Sequence, residues 1–252
     1  MRVDQIAVQM YTLREHAATD LDATFWRLAE MGYKQVEFAG YYDNPVEDVA
    51  AMLERHGLRA PASHVPFEQF EKRFDGVIED AKLLGIEWLI VPMAPIRDVA
   101  SDLVIETIGK LDDFGKRVTD AGLKFAYHNH AFEFEVTLNS DATVFDTLVA
   151  ETNPDNVKLE LDAFWANRAG QDAAELVDQH SDRVRLVHIK DAAHDDIARD
   201  VPFGEGQLDW TAILKASEAA GVEYYVTEQD NPGDAFDDVE TGLRNAEKWS
   251  GQ

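Results

Sequence analysis

The stretch AKLLGIEWLIVP, residues 81–92, shows the pattern that decides the fold: a helical segment ends at Gly85, and an apolar run follows at once. A glycine just past a helix end adopts the left-handed conformation that other residues avoid, and a short apolar run after it is typical of a buried strand. Four other stretches repeat the pattern: AEMGYKQVEF (29–38), LERHGLRAPAS (53–63), VTDAGLKFAYHN (118–129) and SEAAGVEYYVTE (217–228). Because these runs are nearly continuous in apolar residues, they predict parallel strands covered on both faces.

Three more strands complete the predicted set: Gln5–Gln9, Val157–Leu161 and Val184–His188. Helical patterns lie between the strands, at Leu21–Met31, Val46–His56, Phe67–Leu84, Leu103–Ala121, Ala173–His180 and Thr211–Ala220. Eight strands that alternate with helices predict an α/β fold, a single (β/α)8 TIM barrel that spans residues 1–252 as one domain. The alternative is a doubly wound open sheet. Its dinucleotide-binding form is disfavoured, because QMYTLRE after the first strand carries no glycine-rich phosphate fingerprint.

Composition excludes several classes of protein. The chain has 252 residues, no cysteine and a formal net charge of −26. The lack of cysteine excludes a disulfide scaffold, a thiolate zinc site and a cysteine nucleophile. So negative a chain repels phosphate backbones and anionic membranes, and its dispersed acidic residues suit a halophilic, salt-adapted organism or an acidic cytosolic protein. The start lacks a signal-peptide pattern and no apolar run approaches the roughly 18 residues of a membrane span, so we expect a cytoplasmic protein.

The predicted strands end in polar residues. In a barrel of this type the active site lies at the carboxyl ends of the strands. Six of the eight strands carry an ionisable or metal-capable group there: Glu37, His64, His128 with His130 and Glu133, Asp162, His188 with Lys190 and Asp191, and Glu228. Taken singly, Glu37 reads as a loop acid, His64 as a loop histidine and Asp162 as a helix N-cap. In combination, two carboxylates and an imidazole from three consecutive strands, Asp162, His188 and Glu228, with a fourth group from strand five, predict a site of oxygen and nitrogen donors for a divalent cation.

The donor types constrain the ion. Mixed carboxylate and imidazole ligation without thiolate favours Mn²⁺, while Mg²⁺, Co²⁺ and Zn²⁺ also fit. Such an ion polarises a carbonyl and its neighbouring hydroxyl, which eases removal of a proton from the adjacent carbon. The remaining His, Glu and Lys side chains can then act as bases, acids and hydroxyl binders.

Five segments carry a resemblance to a known family. They are YHNHAFEFE (127–135), LELDAFWANRAG (159–170), DRVRLVHIKD (182–191), FGEGQLDW (203–210) and YYVTEQD (224–230). In this order they resemble the xylose isomerase-like TIM barrels, also called the sugar phosphate isomerase/epimerase or AP endonuclease family 2 superfamily. The likeness runs from VQMYTLRE near the start to TEQDNP near the end.

The resemblance implies a metal held by a Glu from strand five, an Asp from strand six, a His from strand seven and a Glu from strand eight. Asp162, His188 and Glu228 match the last three, and Glu133 is the expected strand-five ligand, with His128 as its substitute. The two glutamates would also shuttle the proton. The implied catalytic residues are Glu133, Glu228, His64 and Lys190, and the implied substrate-binding residues are Glu37, His128, His130, Trp165 and Glu205.

The function expected from this likeness is a metal-dependent sugar isomerase or epimerase that removes a proton next to the metal-bound carbonyl of a ketose. An inosose dehydratase-like or 3-keto-glycoside lyase-like enzyme with the same metal site is the alternative. An abasic-site endonuclease and a non-catalytic barrel are disfavoured, the former by the net charge of −26. We expect a small-molecule sugar or cyclic polyol ketone as partner, no nucleic acid and no membrane. The oligomeric state is left open between a monomer and a homo-oligomer, although barrels of the resembled family often pair through the loops that carry the site. Since Arg14, Arg168 and Arg199 are scattered, the substrate is expected to lack phosphate.

Overall fold

Eight strands form a closed parallel barrel in the computed structural model, which describes residues 1–97, 100–138 and 142–250. Numbered β1 to β8 along the chain, they are Ile6–Gln9, Gln35–Phe38, Arg59–His64, Trp88–Val91, Lys124–His128, Lys158–Asp162, Val184–His188 and Tyr224–Thr227. Each strand pairs in parallel with its neighbours, and β1 closes the barrel against β8. The predicted (β/α)8 barrel is therefore confirmed, and the open-sheet alternative is wrong.

The helices surround the barrel. In the described part of the chain α1 to α11 are Arg14–Thr19, Leu21–Met31, Val46–His56, Phe67–Leu84, Ser101–Asp120, Phe132–Glu135, Val144–Glu151, Ala163–Arg168, Ala173–Gln179, Trp210–Ala220 and Ala235–Ser250. Gly85 follows α4 with φ +71, as the opening pattern predicts. The first sequence-predicted helices match in both bounds, and the later ones differ by one or two residues. None of the described helices is long and apolar enough to cross a membrane.

The barrel interior has an apolar lower part and a polar upper part. Because side chains alternate between the two faces of a strand, every second residue points inward. A separate buried cluster fills the lower part with Ala62, Trp88, Ile90, Ala126 and Leu186. The next inward positions toward the carboxyl ends carry polar side chains: the half-buried His64 and the buried Gln9, Glu37, His128, Glu160, Asp162 and His188. The fold thus concentrates its buried charge at the mouth where the site was expected.

Residues 204–206, here called the GEG segment, are held in place by the buried carboxylate of Asp191. Asp191 begins a short antiparallel pair, Asp191–Ala192 with Asp200–Val201. Its carboxylate accepts hydrogen bonds from the backbone N–H groups of Gly204, Gly206 and Leu208 and from Trp210 Nε1, at 2.7–3.2 Å. A Cβ on Gly206 would lie 2.2 Å from the carbonyl oxygen of Ala192, so only glycine fits there. This segment therefore serves packing around Asp191.

Candidate active site

A cavity of about 500 Å³ opens at the carboxyl ends of the barrel strands. Tyr11 and Met93, which are 43% and 47% exposed, lie at its edge. The polar and charged side chains that line it are Arg14, His64, His128, His130, Trp165, Glu228, Asp230 and Asn231. The site therefore lies at the end of the barrel where the strand-end residues had been predicted to meet.

Asp162, His188 and Glu228 form a compact donor cluster, here called the upper donor group. One donor atom of each lies within 4.8 Å of the other two. His188 Nδ1 is 2.9 Å from Glu228 Oε2 and 3.9 Å from Asp162 Oδ2. Asp162 Oδ1 accepts from the backbone N–H of Trp165 at 2.8 Å, so this carboxylate does cap α8. Its Oδ2 is buried and accepts no hydrogen bond from the described residues. Both sequence interpretations of Asp162, helix cap and candidate ligand, therefore fit the same side chain.

Of the two strand-five candidates, His128 lies beside the upper donor group and Glu133 does not. His128 Nε2 is 3.9 Å from Asp162 Oδ2. Glu133 lies in α6, where its Oε1 accepts from the Tyr127 hydroxyl at 2.8 Å and its Oε2 from the backbone N–H of His130 at 2.8 Å. Tyr127 and His128 point to opposite faces of β5, and Glu133 is bound to the residue that points outward. The structure thus corrects the placement of Glu133: it brings His128, the substitute, to the predicted position.

Burial dominates the electrostatics of Glu133. It raises the pKa of this carboxyl to about 7, against which the hydrogen bond from Tyr127 acts only in part. The pKa of Tyr127 is itself raised well above its usual value, first by burial and then by Glu133. The phenol therefore stays protonated and donates a hydrogen bond to Glu133. Glu133 therefore belongs to the packing between β5 and α6.

Lys190 is a fully buried cation at the upper donor group. Its Nζ lies 3.1 Å from Asp162 Oδ2, 3.0 Å from Glu228 Oε2 and 2.9 Å from Asp230 Oδ2. Burial alone would lower the pKa of Lys190, but these three carboxylates raise it well above its usual value. The ammonium in turn lowers the pKa of Glu228 against the effect of burial, whereas burial raises that of Asp162 to about 6. At neutral pH Glu228 is therefore an ionised carboxylate on the cavity wall.

A second polar cluster lies below the first, formed by Glu37, His64 and Glu160 and here called the lower group. Glu160 Oε2 is 2.6 Å from His64 Nε2, and Glu37 Oε1 is 3.1 Å from the same nitrogen. His188 Nε2 reaches down to Glu37 Oε1 at 2.9 Å. Gln9 Nε2 also donates to Glu37 Oε1, at 2.7 Å. Glu160 was not among the sequence-predicted site residues. Glu160 lies two residues before Asp162, so both side chains point to the inward face of β6. This spacing is the sequence signal from which Glu160 could have been predicted as a site residue.

The lower group pairs opposite charges. Burial would raise the pKa of Glu37, but His64 and His188 lower it. Burial and Glu37 would raise the pKa of Glu160, yet the same two imidazoles hold it at about 2. Burial would lower the pKa of His64, and the two carboxylates raise it to about 9. Burial lowers the pKa of His128 well below its usual range. Burial would likewise lower the pKa of His188, and Glu160, Glu37 and Glu228 raise it well above its usual value. Glu37 and Glu160 are therefore paired with the cationic rings of His64 and His188, beneath a neutral His128 at neutral pH.

His130 and Trp165 form one wall of the cavity. Their ring centroids are 5.4 Å apart, and both rings line the pocket. Burial, and then the nearby Lys190, lower the pKa of His130 to about 3, so its ring is neutral. His130 Nδ1 and Trp165 Nε1 are buried and have no hydrogen-bond partner among the described residues. The wall thus offers an aromatic face with an unused acceptor or donor on each ring.

Glu205 does not reach this cavity. It is exposed, and its Oε1 accepts a hydrogen bond from Asn245 Nδ2 of α11 at 2.9 Å. The structure therefore corrects its expected place beside the substrate: the GEG loop turns its one carboxylate toward α11. Asp230, which pairs with Lys190 in the cavity wall, was not assigned a role from the sequence.

The model of the family described as xylose isomerase-like TIM barrel matches residues 25–249. The chain belongs to this family. An inosose dehydratase of Geobacillus kaustophilus (strain HTA426) is 26% identical over 220 residues, which cover 77% of this chain and 68% of the relative. A 2-oxo-tetronate isomerase of Haemophilus influenzae is 26% identical over 223 residues, 80% of this chain and 84% of the relative. The curated relatives thus include a dehydratase and an isomerase.

Solved structures of other proteins share the fold. A sugar phosphate isomerase/epimerase from Parabacteroides distasonis superposes with a TM-score of 0.81 at 25% identity, covering 96% of this chain and 93% of that chain. The structure of the IOLI protein with a bound zinc atom gives a TM-score of 0.73 at 20% identity and covers 98% of each chain. At that identity the likeness concerns the fold alone.

Proposed function

We propose that the chain is an enzyme that holds one divalent cation at the upper donor group and removes a proton next to the carbonyl of an unphosphorylated keto-sugar or cyclic polyol ketone. The observation that carries the proposal is the convergence of Asp162, His188 and Glu228, whose donor atoms lie within 4.8 Å of one another. Asp162 Oδ2 lies 3.9 Å from both His128 Nε2 and His188 Nδ1, and its positive neighbour, Lys190 Nζ at 3.1 Å, is shared with Glu228 and Asp230. Three buried or partly buried carboxylates around one ammonium favour a further cation beside them.

The donor set fits such a cation. Asp162, His188 and Glu228, with His128 from the neighbouring strand, would offer two oxygens and two nitrogens from four consecutive strands. With His128 in place of Glu133, one imidazole replaces one carboxylate. Imidazole suits Zn²⁺, whereas carboxylate suits Mg²⁺ and Mn²⁺. We therefore place Zn²⁺ beside Mn²⁺ as the preferred ion of this site, with Co²⁺ and Mg²⁺ behind them.

The side chains around the cavity supply the acid and base groups that proton transfer needs. When bound, the cation would polarise the substrate carbonyl and the adjacent hydroxyl, which makes the neighbouring C–H more acidic. Glu228, ionised by Lys190 and His188, would accept that proton. Lys190 donates to Glu228 at 3.0 Å and would donate to a substrate oxygen as negative charge grows there.

His64 would serve as the acid. Its pKa of about 9 keeps the ring cationic at neutral pH, and the ring lines the cavity. A proton from this side would complete an epimerisation or isomerisation, or would assist a departing hydroxyl in a dehydration. Glu133, tied to Tyr127, takes no part in this scheme.

The cavity favours a neutral polyol over a phosphate ester. Arg14 lines it, but Nη1 and Nη2 donate to the backbone carbonyl oxygens of Tyr11 and Asp230 at 2.8 and 3.0 Å. The acidic side chains Glu228 and Asp230 also face the cavity and would repel an anion. Trp165 and His130 can cover the apolar face of a sugar ring and bind its hydroxyls.

Dehydration is the second candidate outcome of the same proton removal. The observation that favours it is the 26% identity to an inosose dehydratase over 77% of the chain. Both outcomes begin with loss of a proton from the carbon next to the carbonyl, so one experiment covers both.

That experiment measures bound metal and then exchange of substrate hydrogen. The purified protein is stripped with a chelator, reloaded with Mn²⁺ or Zn²⁺, and incubated in D₂O with ketoses, inososes and 3-keto-glycosides. We expect about one ion per chain and deuterium at one carbon, with loss of both in Asp162→Asn and loss of deuterium uptake in Glu228→Gln. Glu205→Gln is the matched control, because it removes a carboxylate that lies outside the cavity. Failure of the reloaded protein to hold either ion would overturn the proposal.

A further inference from the structure

Three imidazole nitrogens surround a single carboxylate oxygen of Glu160. Its Oε2 lies 2.6 Å from His64 Nε2, 3.0 Å from His128 Nδ1 and 3.2 Å from His188 Nε2. Glu160 is fully buried beneath the cavity floor. The contacts with His64 and His128 are charge-assisted N–H···O hydrogen bonds, whereas His188 Nε2 donates to Glu37 Oε1 at 2.9 Å and lies beside Glu160 as an ion-pair contact.

The geometry distinguishes this arrangement from a cation site. Ligands of a cation surround an empty point, about 2.0–2.2 Å from each of them in the case of zinc. Here the imidazole nitrogens surround an oxygen atom instead. The arrangement of His64, His128 and His188 is therefore centred on Glu160 Oε2, although these four residues are donor types that would also suit a metal.

Two of the three imidazoles extend from Glu160 to the upper donor group. His128 presents Nδ1 to Glu160 and Nε2 to Asp162 Oδ2, at 3.9 Å. His188 presents Nε2 to Glu160 and Nδ1 to Asp162 Oδ2 at 3.9 Å and to Glu228 Oε2 at 2.9 Å. Each ring thus lies between a carboxylate below and the candidate cation position above.

An ionised carboxylate can only accept hydrogen bonds. The ring nitrogen that faces Glu160 must therefore carry a hydrogen, and in a neutral ring the opposite nitrogen then has a free lone pair. For His128 this leaves the lone pair on Nε2, directed to the same side as Asp162 Oδ2. Metal-binding histidines commonly receive this kind of support from a carboxylate.

We propose that Glu160 is a positioning residue that fixes the tautomer of His128, so that Nε2 of this ring presents its lone pair to one divalent cation at the upper donor group. The cation part of this inference rests on the proposed function; the tautomer part does not. Asp191 shows by contrast what a structural carboxylate looks like in this chain, since it accepts from backbone N–H groups and from Trp210. Glu160 Oε1 has no hydrogen-bond partner among the described residues, so the polar contacts of this carboxylate are those that Oε2 makes with the imidazoles.

The first test reads the tautomer directly. Two-dimensional ¹H–¹⁵N correlation spectra of the metal-free protein labelled with ¹⁵N-histidine distinguish Nδ1–H from Nε2–H rings, and His128→Gln assigns the His128 signals. We expect the Nδ1–H tautomer in the wild type and a mixture of both tautomers in Glu160→Gln, because a glutamine amide can donate as well as accept. Glu37→Gln is the matched control: Glu37 binds Gln9, His64 and His188, whereas the carboxylate hydrogen-bonded to His128 is Glu160. Its His128 tautomer should therefore stay as in the wild type.

The second test measures binding of Zn²⁺ by competition with a chromophoric chelator. Loss of such a supporting carboxylate typically costs 10–100-fold in affinity, and we expect a loss of about that size in Glu160→Gln, with Glu160→Asp between it and the wild type. An Nε2–H His128 in the wild type overturns the inference even if Glu160→Gln does not fold. The inference is also overturned if Glu160→Gln leaves the His128 tautomer unchanged. It is likewise overturned if the wild type binds two ions and Glu160→Gln loses one of them. If the wild type binds no cation while His128 is Nδ1–H, the proposed function fails and the tautomer assignment stands.

Discussion

Lys190 Nζ donates a hydrogen bond to Glu228 Oε2 at 3.0 Å, and the lysine side chain is fully buried, out of contact with solvent. The same ammonium lies 3.1 Å from Asp162 Oδ2. A protein cation thus neutralises two of the carboxylates that are proposed to bind a divalent ion.

Lys190→Met should destabilise the metal-free protein by roughly 3–5 kcal/mol, because it leaves Asp162, Glu228 and Asp230 without their buried counter-ion. A divalent cation at the upper donor group would supply the missing positive charge, so added Zn²⁺ or Mn²⁺ should recover much of the loss. Urea unfolding with chelator and with metal measures both values. Equal destabilisation under the two conditions would count against a cation at this position.

His128→Ala and Glu133→Gln should differ in their effect on metal binding. His128 Nε2 is 3.9 Å from Asp162 Oδ2, whereas both oxygens of Glu133 accept hydrogen bonds from Tyr127 and His130. We expect His128→Ala to weaken binding of Zn²⁺ by about 10-fold or more and Glu133→Gln to leave it within about 2-fold, both read by isothermal titration calorimetry. The reverse order would return Glu133 to the ligand set.

Glu133 should give the protein a pH-dependent stability that Glu133→Gln removes. Its pKa is raised from 4.5 to about 7 by burial, so the folded state binds this proton more tightly than the unfolded state does. The favourable contribution is fully present below pH 4.5 and is lost as the pH rises through about 7. Across that window the wild type should lose roughly 3 kcal/mol relative to Glu133→Gln. Urea unfolding of both proteins at several pH values measures the difference, and parallel curves would contradict the assignment.

The GEG loop should matter for stability and little for substrate binding. Gly206→Ala places a methyl group 2.2 Å from the carbonyl oxygen of Ala192, and we expect a loss of about 2–4 kcal/mol and a lower Tm. Glu205→Ala removes an exposed side chain that contacts Asn245, so KM should be unchanged. Thermal unfolding and steady-state kinetics test the pair. A raised KM in Glu205→Ala would restore Glu205 to the substrate site.

Glycine-ended helices followed by apolar runs predicted the barrel, since each such unit depends on a local backbone conformation that the sequence specifies. The same reasoning placed Asp162, His188 and Glu228 together, because parallel strands bring their carboxyl ends to one edge. Those predictions needed only the strand ends and the topology.

The remaining site residues depend on geometry beyond the strand ends. Glu133 comes five residues after His128, and the short helix α6 decides on which side of β5 its carboxylate lies. Glu160 lies inside a strand, where a charged side chain is expected to be unfavourable unless partners from other strands reach it. His188 comes from the neighbouring strand β7, but His64 comes from β3, three strands away along the sheet, and the closed barrel brings it across to Glu160.

Asp162 restricts what substitution can do at its position. Oδ1 accepts from the first turn of α8, which carries Trp165 into the cavity wall, while Oδ2 faces the candidate cation position. Asparagine or serine can keep the helix cap but brings no negative charge, and glutamate carries the charge on a longer arm that no longer fits the cap. Since the wall and the ion position share one carboxylate, a family member that gave up its ion while keeping this wall should show asparagine or serine here.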